Sequence, residues 1–195
     1  MRYVICDFVV NTHISIRNTH IIILISRNNW YFCTMPTDVI IYTDGAAKGN
    51  PGPGGYGTVL MSGPHKKELA EGFALTTNNR MELLAVIVGL EALKVAPCNV
   101  TVYSDSKYVV DAVQKGWLNS WVRINFKNKK NKDLWLRYME IAKQHNVKFV
   151  WVKGHNGNVY NERCDYLAVQ ASESPNLKED TWYVKNVSTE TETLL

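Results

Sequence analysis

Residues 39–57 read VIIYTDGAAKGNPGPGGYG, and no other stretch constrains the fold as much. A β-branched run ends at Asp44, and a segment rich in Gly and Pro follows at once. An apolar run bounded by turn residues is the pattern of a buried strand. A buried strand that finishes on a carboxylate needs water, a metal or a partner at that end. The run VTVYSD at 100–105 repeats the pattern and finishes on Asp105. Paired in parallel, two such strands would set two carboxylates side by side.

The sequence between and after these runs supplies the connections. Strands fit 39–43, 56–61 and 67–74, with the turn Ser62-Gly63-Pro64 before the third. Thr77-Asn78-Asn79 opens a helix over 80–94 with polar capping residues, and Pro97 closes it. Its middle, LLAVIVGLEAL, is apolar almost all round, which predicts burial on more than one side. Then come a strand at 100–104, short helices at 106–115 and 116–122, an amphipathic helix at 133–145, a strand at 147–152 and a helix at 161–172. This order predicts an α/β (mixed α+β) fold, one mixed sheet with helices on its faces. The crossover through the long helix predicts that the strands at 39–43 and 100–104 run parallel. Ligands gather at the carboxyl ends of such strands, where Asp44 and Asp105 fall.

Residues 1–35 do not share this patterning. They read as a poorly ordered extension, or as upstream translation before a start at Met35, with an N-terminal arm as the alternative. The folded domain is expected over 36–173, and the polar tail at 174–195 is expected to fray. No stretch approaches the roughly 18 apolar residues of a membrane span. The run at 21–25 is also short for a signal-peptide core, so a cytoplasmic location is expected. Cys6, Cys33, Cys98 and Cys164 form no CxxC pair and read as free thiols in a reducing compartment. The formal net charge of +4 is compatible with a polyanionic partner without establishing one.

Four acids carry the chemical reading. Asp44 and Asp105 end strands, Glu82 lies in the first turn of the apolar helix, and Asp165 lies near the inward face of the last helix. Singly, each has an ordinary explanation as a turn residue, a helix-dipole partner or a solvated helix residue. Clustered, they would repel one another and take up protons unless cations compensate. With no Cys or His cluster beside them, ligation by oxygen alone points to Mg²⁺ or Mn²⁺. Two such ions ~4 Å apart activate a water and stabilise the leaving oxygen of a phosphodiester. Residues 52–57 match GxGxxG in form, but TVLM follows where the dinucleotide fingerprint requires a helix, which argues against that role.

The blocks TDGAAKGNPGPGGYG, TTNNRMELLAVIVGLEAL, VYSDSKYV, DLW and WVKGHNGNVYNERCDYLA together resemble the type 1 ribonuclease H family, the bacterial ribonuclease HI group. The resemblance covers 39–171. It implies the ribonuclease H-like fold, a five-stranded mixed sheet flanked by helices on both faces. It implies a monomer that binds no membrane and hydrolyses the RNA strand of RNA–DNA hybrids, leaving 3′-hydroxyl and 5′-phosphate ends with little sequence preference. By position it makes Asp44, Glu82, Asp105 and Asp165 the ligands of two Mg²⁺ ions, with Mn²⁺ as a substitute and Asp44 bridging. His155 resembles the auxiliary histidine that helps proton transfer or product departure. Asn50, Asn78, Asn79 and Asn161 match positions that contact the hybrid's minor groove, with backbone groups at Gly45, and Thr77 matches a DNA-phosphate contact. Neutral amides suit the 2′-hydroxyls that distinguish RNA from DNA. The segment 117–135 matches the basic handle, in which Lys127, Lys129 and Lys130 interleave with Trp117 and Trp121. Phosphate contacts of that kind raise affinity without reading sequence.

The chain departs from the family pattern in places. The handle is several residues shorter than in well-known bacterial members. Lys107 stands where Gln often follows Asp-Ser, Met61 stands where some relatives carry an Arg, and NGNVY follows His155 where AGHPE is common. None of these removes an expected acid. Two other readings stay open on sequence: a nuclease or recombinase on the same fold, and a catalytically silent hybrid-binding module. The TTNNRME block with the basic handle disfavours the first. Retention of all four acids and His155 disfavours the second.

Overall fold

Burial alternates along 98–104, with Cys98, Val100, Val102 and Ser104 buried and the residues between them half-exposed. That is the period of a strand buried on one face and partly covered on the other. A computed structural model describes the backbone of residues 9–16, 19–26, 29–34 and 36–192, with side chains over 36–186. The elements in order are β1 (Val9–Ile16), β2 (Thr19–Ser26), β3 (Asn29–Thr34), β4 (Thr37–Ala47), β5 (Gly52–Ser62), β6 (His65–Thr76), α1 (Asn78–Glu91), β7 (Cys98–Ser104), α2 (Lys107–Gln114), α3 (Trp117–Arg123), α4 (Lys132–Ala142), β8 (Asn146–Trp151), α5 (Val159–Ser172) and α6 (Thr181–Glu192).

The main sheet has five strands in the order β6-β5-β4-β7-β8. β4 pairs antiparallel with β5 and parallel with β7, and β7 is parallel to β8. The mixed sheet and the parallel β4–β7 pair are those expected from the sequence. Helices cover both faces. Thr58 Oγ1 on β5 donates to Ala85 O on α1 at 2.8 Å. The next residue back, Gly57, abuts Cys164 and Leu167 of α5. Successive strand residues point to opposite faces, so α1 and α5 lie on opposite sides of the sheet. The core helix α1 is buried from Met81 through Leu90 almost without a break. Its sides meet the sheet and α4, whose Leu134, Trp135 and Tyr138 are buried.

Several boundaries differ from the sequence reading. β4 does not end at Asp44 but runs on to Ala47, and β5 begins at Gly52. Most of the glycine-rich stretch is therefore strand, paired from Asp44↔Gly57 to Ala47↔Gly54. The glycines there serve close packing: a Cβ at Gly57 would stand 2.8 Å from Leu167 Cβ. α1 starts at Asn78, two residues before the expected helix, with Thr77 as its N-cap.

The chain ends differ more. Residues 9–34 show no strand period, yet β1, β2 and β3 form a separate antiparallel sheet. β-branched content in THIIILIS carries β2 without alternation. At the other end, part of the tail expected to fray is tied down, at Lys178 and Asp180. Lys178 N–H donates to Gly72 O and Ala74 N–H to Lys178 O, each at 2.8 Å, against the edge strand β6. Asp180 follows, only 9% exposed, and its carboxylate accepts from Tyr183 N–H at 3.2 Å to cap α6. Among the described residues no helix is long and apolar enough to cross a membrane.

Candidate active site

The parallel register fixes the first two acids. β4 and β7 pair from Thr37↔Cys98 to Thr43↔Ser104. Asp44 and Asp105 are each the next residue, so both stand at the carboxyl end of the paired strands. Asp44 is 8% exposed, and its Oδ1 accepts from Gly45 N–H at 2.7 Å. Burial, then repulsion from Asp105, pushes its carboxyl up to about 8 against that hydrogen bond, and Asp165 and Glu82 add to the rise. The other three predicted acids therefore all act on the Asp44 carboxyl.

Glu82 reaches the site because α1 lies directly against β4 at Gly45. A Cβ there would sit 2.6 Å from Met81 C and 2.9 Å from Glu82 Cα, both backbone atoms with no freedom to yield. Asn78 Nδ2, one turn earlier, donates to Glu82 Oε1 at 2.9 Å. Ser106 Oγ donates to Glu82 Oε2 in a short hydrogen bond. Burial pushes the Glu82 carboxyl up to about 7, opposed by the Ser106 and Asn78 hydrogen bonds and assisted by Asp105. Gly45→Ala is expected to cost about 3 kcal/mol by overpacking. That corresponds to roughly 6–12 °C in Tm for a chain of this size. Activity should fall with it, because β4 and α1 separate between Asp44 and Glu82. Calorimetry beside an activity assay checks this.

The loop after β8 closes the third side. Gly154 lies against Asp105, close enough that a Cβ would stand 2.5 Å from Asp105 Oδ2. The next residue, His155, is exposed with φ 49°. Asn161, near the start of α5, donates from Nδ2 to Asp105 Oδ2 at 3.3 Å, and one turn later α5 presents Asp165 half-buried. Asn161 is only 2% exposed, and among the described residues its Oδ1 has no partner. Asn161, which by resemblance matches a groove-contacting position, is thus buried with its amide on the Asp105 carboxylate.

The other expected substrate residues divide. Asn50 Oδ1 accepts from Asn78 N–H at 3.3 Å at an exposed position, joining the 48–51 turn to the start of α1. Asn79 is exposed beside it, and Thr77 makes no side-chain cap hydrogen bond. The expected capping role for Asn78 and Asn79 is not seen, since Asn78's amide serves Glu82 instead. In the handle Lys127, Lys129 and Lys130 are exposed and Trp117 is 42% exposed. Trp121 is drawn inward, with its ring 5.5 Å from Trp135 and 6.5 Å from Tyr108, and Lys129 Nζ lies 5.6 Å over it. Phe126, within the same segment, is buried. Of the thiols, Cys98 and Cys164 are free and buried, while the side chains of Cys6 and Cys33 lie outside the described residues.

Sequence reasoning missed Ser106, whose position as the α2 N-cap was the available signal. It also missed Arg80 and Asp180, whose pairing spans 100 residues. Arg80 is 1% exposed. Its Nη1 and Nη2 donate to Asp133 Oδ1 and Oδ2, each at 2.9 Å, and its Nε donates to Asp180 Oδ2 at 2.7 Å.

Among the described residues, no group of three or more His, Cys, Asp or Glu side chains is arranged to hold a metal ion as it stands. The donor set nonetheless suits a hard divalent cation. It is all oxygen, and two of its carboxyls are pushed up to about 8 and about 7 by burial and mutual repulsion. A cation among them would relieve that repulsion.

A five-stranded mixed sheet with this order and four acids around the ends of its parallel pair defines a ribonuclease H-like fold. The family model described as RNase H matches residues 36–173, and the chain belongs to that family. It is similar to the ribonuclease H of Rippkaea orientalis, 56% identical over 153 residues covering 76% of this chain and 93% of the relative. It is also similar to that of Desulforamulus reducens, 58% identical over 149 residues covering 73% and 92%. Among solved structures it resembles LC9-RNase H1, described as a type 1 RNase H with the type 2 active-site motif, with TM-score 0.65, 29% identity and coverage of 71% and 74%. LC11-RNase H1 in complex with an RNA/DNA hybrid aligns with TM-score 0.51, 28% identity and coverage of 69% and 96%.

Proposed function

We propose that this chain is an endonuclease that hydrolyses the RNA strand of RNA–DNA hybrids, leaving 3′-hydroxyl and 5′-phosphate ends. The carrying observation is the register that sets Asp44 and Asp105 side by side, with Glu82 and Asp165 electrostatically coupled to them. Family membership and the hybrid-bound relative support the choice of substrate. The catalytic acids lie within residues 36–173, and the chain acts as a cytoplasmic monomer.

Asp44, Glu82, Asp105 and Asp165 would hold two Mg²⁺ ions, or Mn²⁺ in their place. Bound there, such cations supply a more acidic water and neutralise charge at the scissile phosphate. Ser106 and Asn78 fix both oxygens of Glu82, and Asn161 fixes Oδ2 of Asp105, so these carboxylates are oriented before substrate arrives. Hydrolysis would add a water oxygen to phosphorus with release of one of its protons to solvent, and would break the bond to the 3′ oxygen, which takes up a proton. His155, exposed and next in the chain to Gly154, which lies against Asp105, moves protons at its imidazole nitrogens as product leaves. Asn50, Thr77, Asn78 and Asn79 face the hybrid from one end of the site, and the handle lysines hold the DNA backbone.

Parallel incubations with uniform hybrid, duplex DNA and branched DNA in Mg²⁺ test this. Cleavage confined to the RNA strand of the hybrid is expected, and cleavage of branched DNA in preference would replace the proposal with a recombination nuclease. The triple variant of Lys127, Lys129 and Lys130 to Ala is expected to weaken hybrid binding alike for all sequences. Each of these lysines that meets a phosphate should, on removal, lower the slope of log affinity against log salt by about 1. A salt titration of hybrid binding checks it, and an unchanged slope would remove the handle from the interface.

A further inference from the structure

The 77–79 run is bracketed by a residue far along the chain. Asp180 Oδ2 accepts from Thr76 Oγ1 at 3.1 Å, on the near side of the run. On the far side, Arg80 Nε donates to the same oxygen at 2.7 Å and Nη2 to Oδ1 at 2.9 Å. One carboxylate thus joins the last residue of β6 to the first turn of α1, and Thr77, Asn78 and Asn79 lie between the two anchors. The run is the start of α1, where Thr77 O accepts from Arg80 N–H and Met81 N–H at 3.1 Å each and Asn78 Nδ2 donates to Glu82, but its links to the rest of the fold are few. Thr77 caps α1 without a side-chain hydrogen bond, and the tether from Asn50 to Asn78 is long, at 3.3 Å, and exposed.

Asp180 is itself held rigidly. Its Oδ1 caps α6, and the bridge between Lys178 and Phe73 fixes the chain two residues earlier. The rings of Trp182 and Tyr183 lie 5.0 and 5.5 Å from the Arg80 guanidinium. Asp133 also binds Arg80, at Nη1 and Nη2. Of the two carboxylates on Arg80, only that of Asp180 also takes the Thr76 hydroxyl.

We infer that Asp180 is a positioning residue for substrate binding: through Thr76 and Arg80, the C-terminal segment sets the backbone of residues 77–79 where the hybrid lies. This rests on the proposal that those residues face the hybrid. Loss of an ion pair that only stabilised the fold would lower Tm and leave substrate affinity alone. A positioning role predicts a change in KM that does not follow stability.

The test is steady-state hydrolysis of a uniform hybrid by the full chain and by Asp180→Asn, Thr76→Val and Asp133→Asn, far below their melting temperatures. Asp180→Asn and Thr76→Val are expected to raise KM about fivefold, with kcat within about twofold of wild type. Thr76→Val keeps the side-chain shape and removes only the hydroxyl, so it decides the matter even where Asp180→Asn fails to fold. Asp133→Asn is expected to lower Tm with KM within about twofold. An unchanged KM in Thr76→Val overturns the inference. So does a KM rise in Asp133→Asn equal to that in the other two variants. A wild-type chain that leaves the hybrid intact would instead refute the proposed function, and that result precedes any comparison of variants.

Discussion

Asp44→Asn is expected to lower hybrid hydrolysis by about a thousandfold or more, with the fold intact and, in metal-free buffer, more stable than wild type. A metal site supplies several kcal/mol of transition-state stabilisation, and about 4 kcal/mol is a thousandfold in rate. Asn keeps the shape and accepts the Gly45 N–H but cannot supply the charge. The stability gain follows from the raised carboxyl. Asp44 is pushed from 3.8 to about 8 in the folded chain, so between these values the folded state holds a proton that the unfolded state has lost. Its contribution is fully present below the unfolded value and disappears as pH rises through the folded one, falling by about 1.4 kcal/mol for each step of one in pH between them. Metal-free wild type should therefore lose stability from about pH 4 towards pH 8. Asp44→Asn should lose much less. Added Mg²⁺ should stabilise wild type most at the alkaline end and the variant little. Melting curves in chelator and in Mg²⁺ across this range check the sign. A variant that melts below metal-free wild type at pH 8 would show that Asp44 carries no electrostatic penalty.

Arg80→Met is expected to produce the largest loss of stability, about 3–5 kcal/mol. The guanidinium is 1% exposed and makes two-pronged hydrogen bonds to both Asp133 and Asp180. Burial opposes its charge, but the two carboxylates outweigh burial and hold its pKa above the usual arginine value. Met fills similar space but leaves the buried Asp180 without its cation, and a buried unpaired charge costs more than the pair contributes. Arg80→Lys should be nearly as harmful, because one ammonium cannot match two forked partners. At about 2–4 °C per kcal/mol, Tm should fall by roughly 6–20 °C. Calorimetry and urea unfolding measure it, and a loss below about 1 kcal/mol would reduce the network to the weight of a surface pair.

The site was largely legible in the sequence because its placement follows from topology. A crossover helix between two strands makes them parallel, and matching Tyr-(Thr/Ser)-Asp endings then bring Asp44 and Asp105 level. Glu82 came with the helix start and Asp165 with the last helix. Side-chain direction was less accessible. Asn161 and Trp121 occupy the expected elements, but one is buried with its amide on Asp105 and the other packs against Trp135. Strand ends in the glycine-rich stretch were misplaced because glycine usually marks turns, whereas Gly54, Gly55 and Gly57 here let α5 and β4 approach β5 closely. The C-terminal segment gave no periodic signal at all. Its order comes from Asp180 meeting Arg80 across 100 residues, an interaction that neither local propensity nor hydrophobic period encodes.

The central claim is that the cluster around Asp44 cleaves the RNA strand of a hybrid with divalent cations. Its most direct test is single-turnover cleavage of a uniform, end-labelled RNA–DNA hybrid by the full chain, in Mg²⁺, in Mn²⁺ and in chelator, with product ends identified. RNA fragments carrying 5′-phosphate and 3′-hydroxyl ends are expected in either metal, none in chelator, and none from Asp44→Asn. Full-rate cleavage in chelator, or by Asp44→Asn, would contradict the claim.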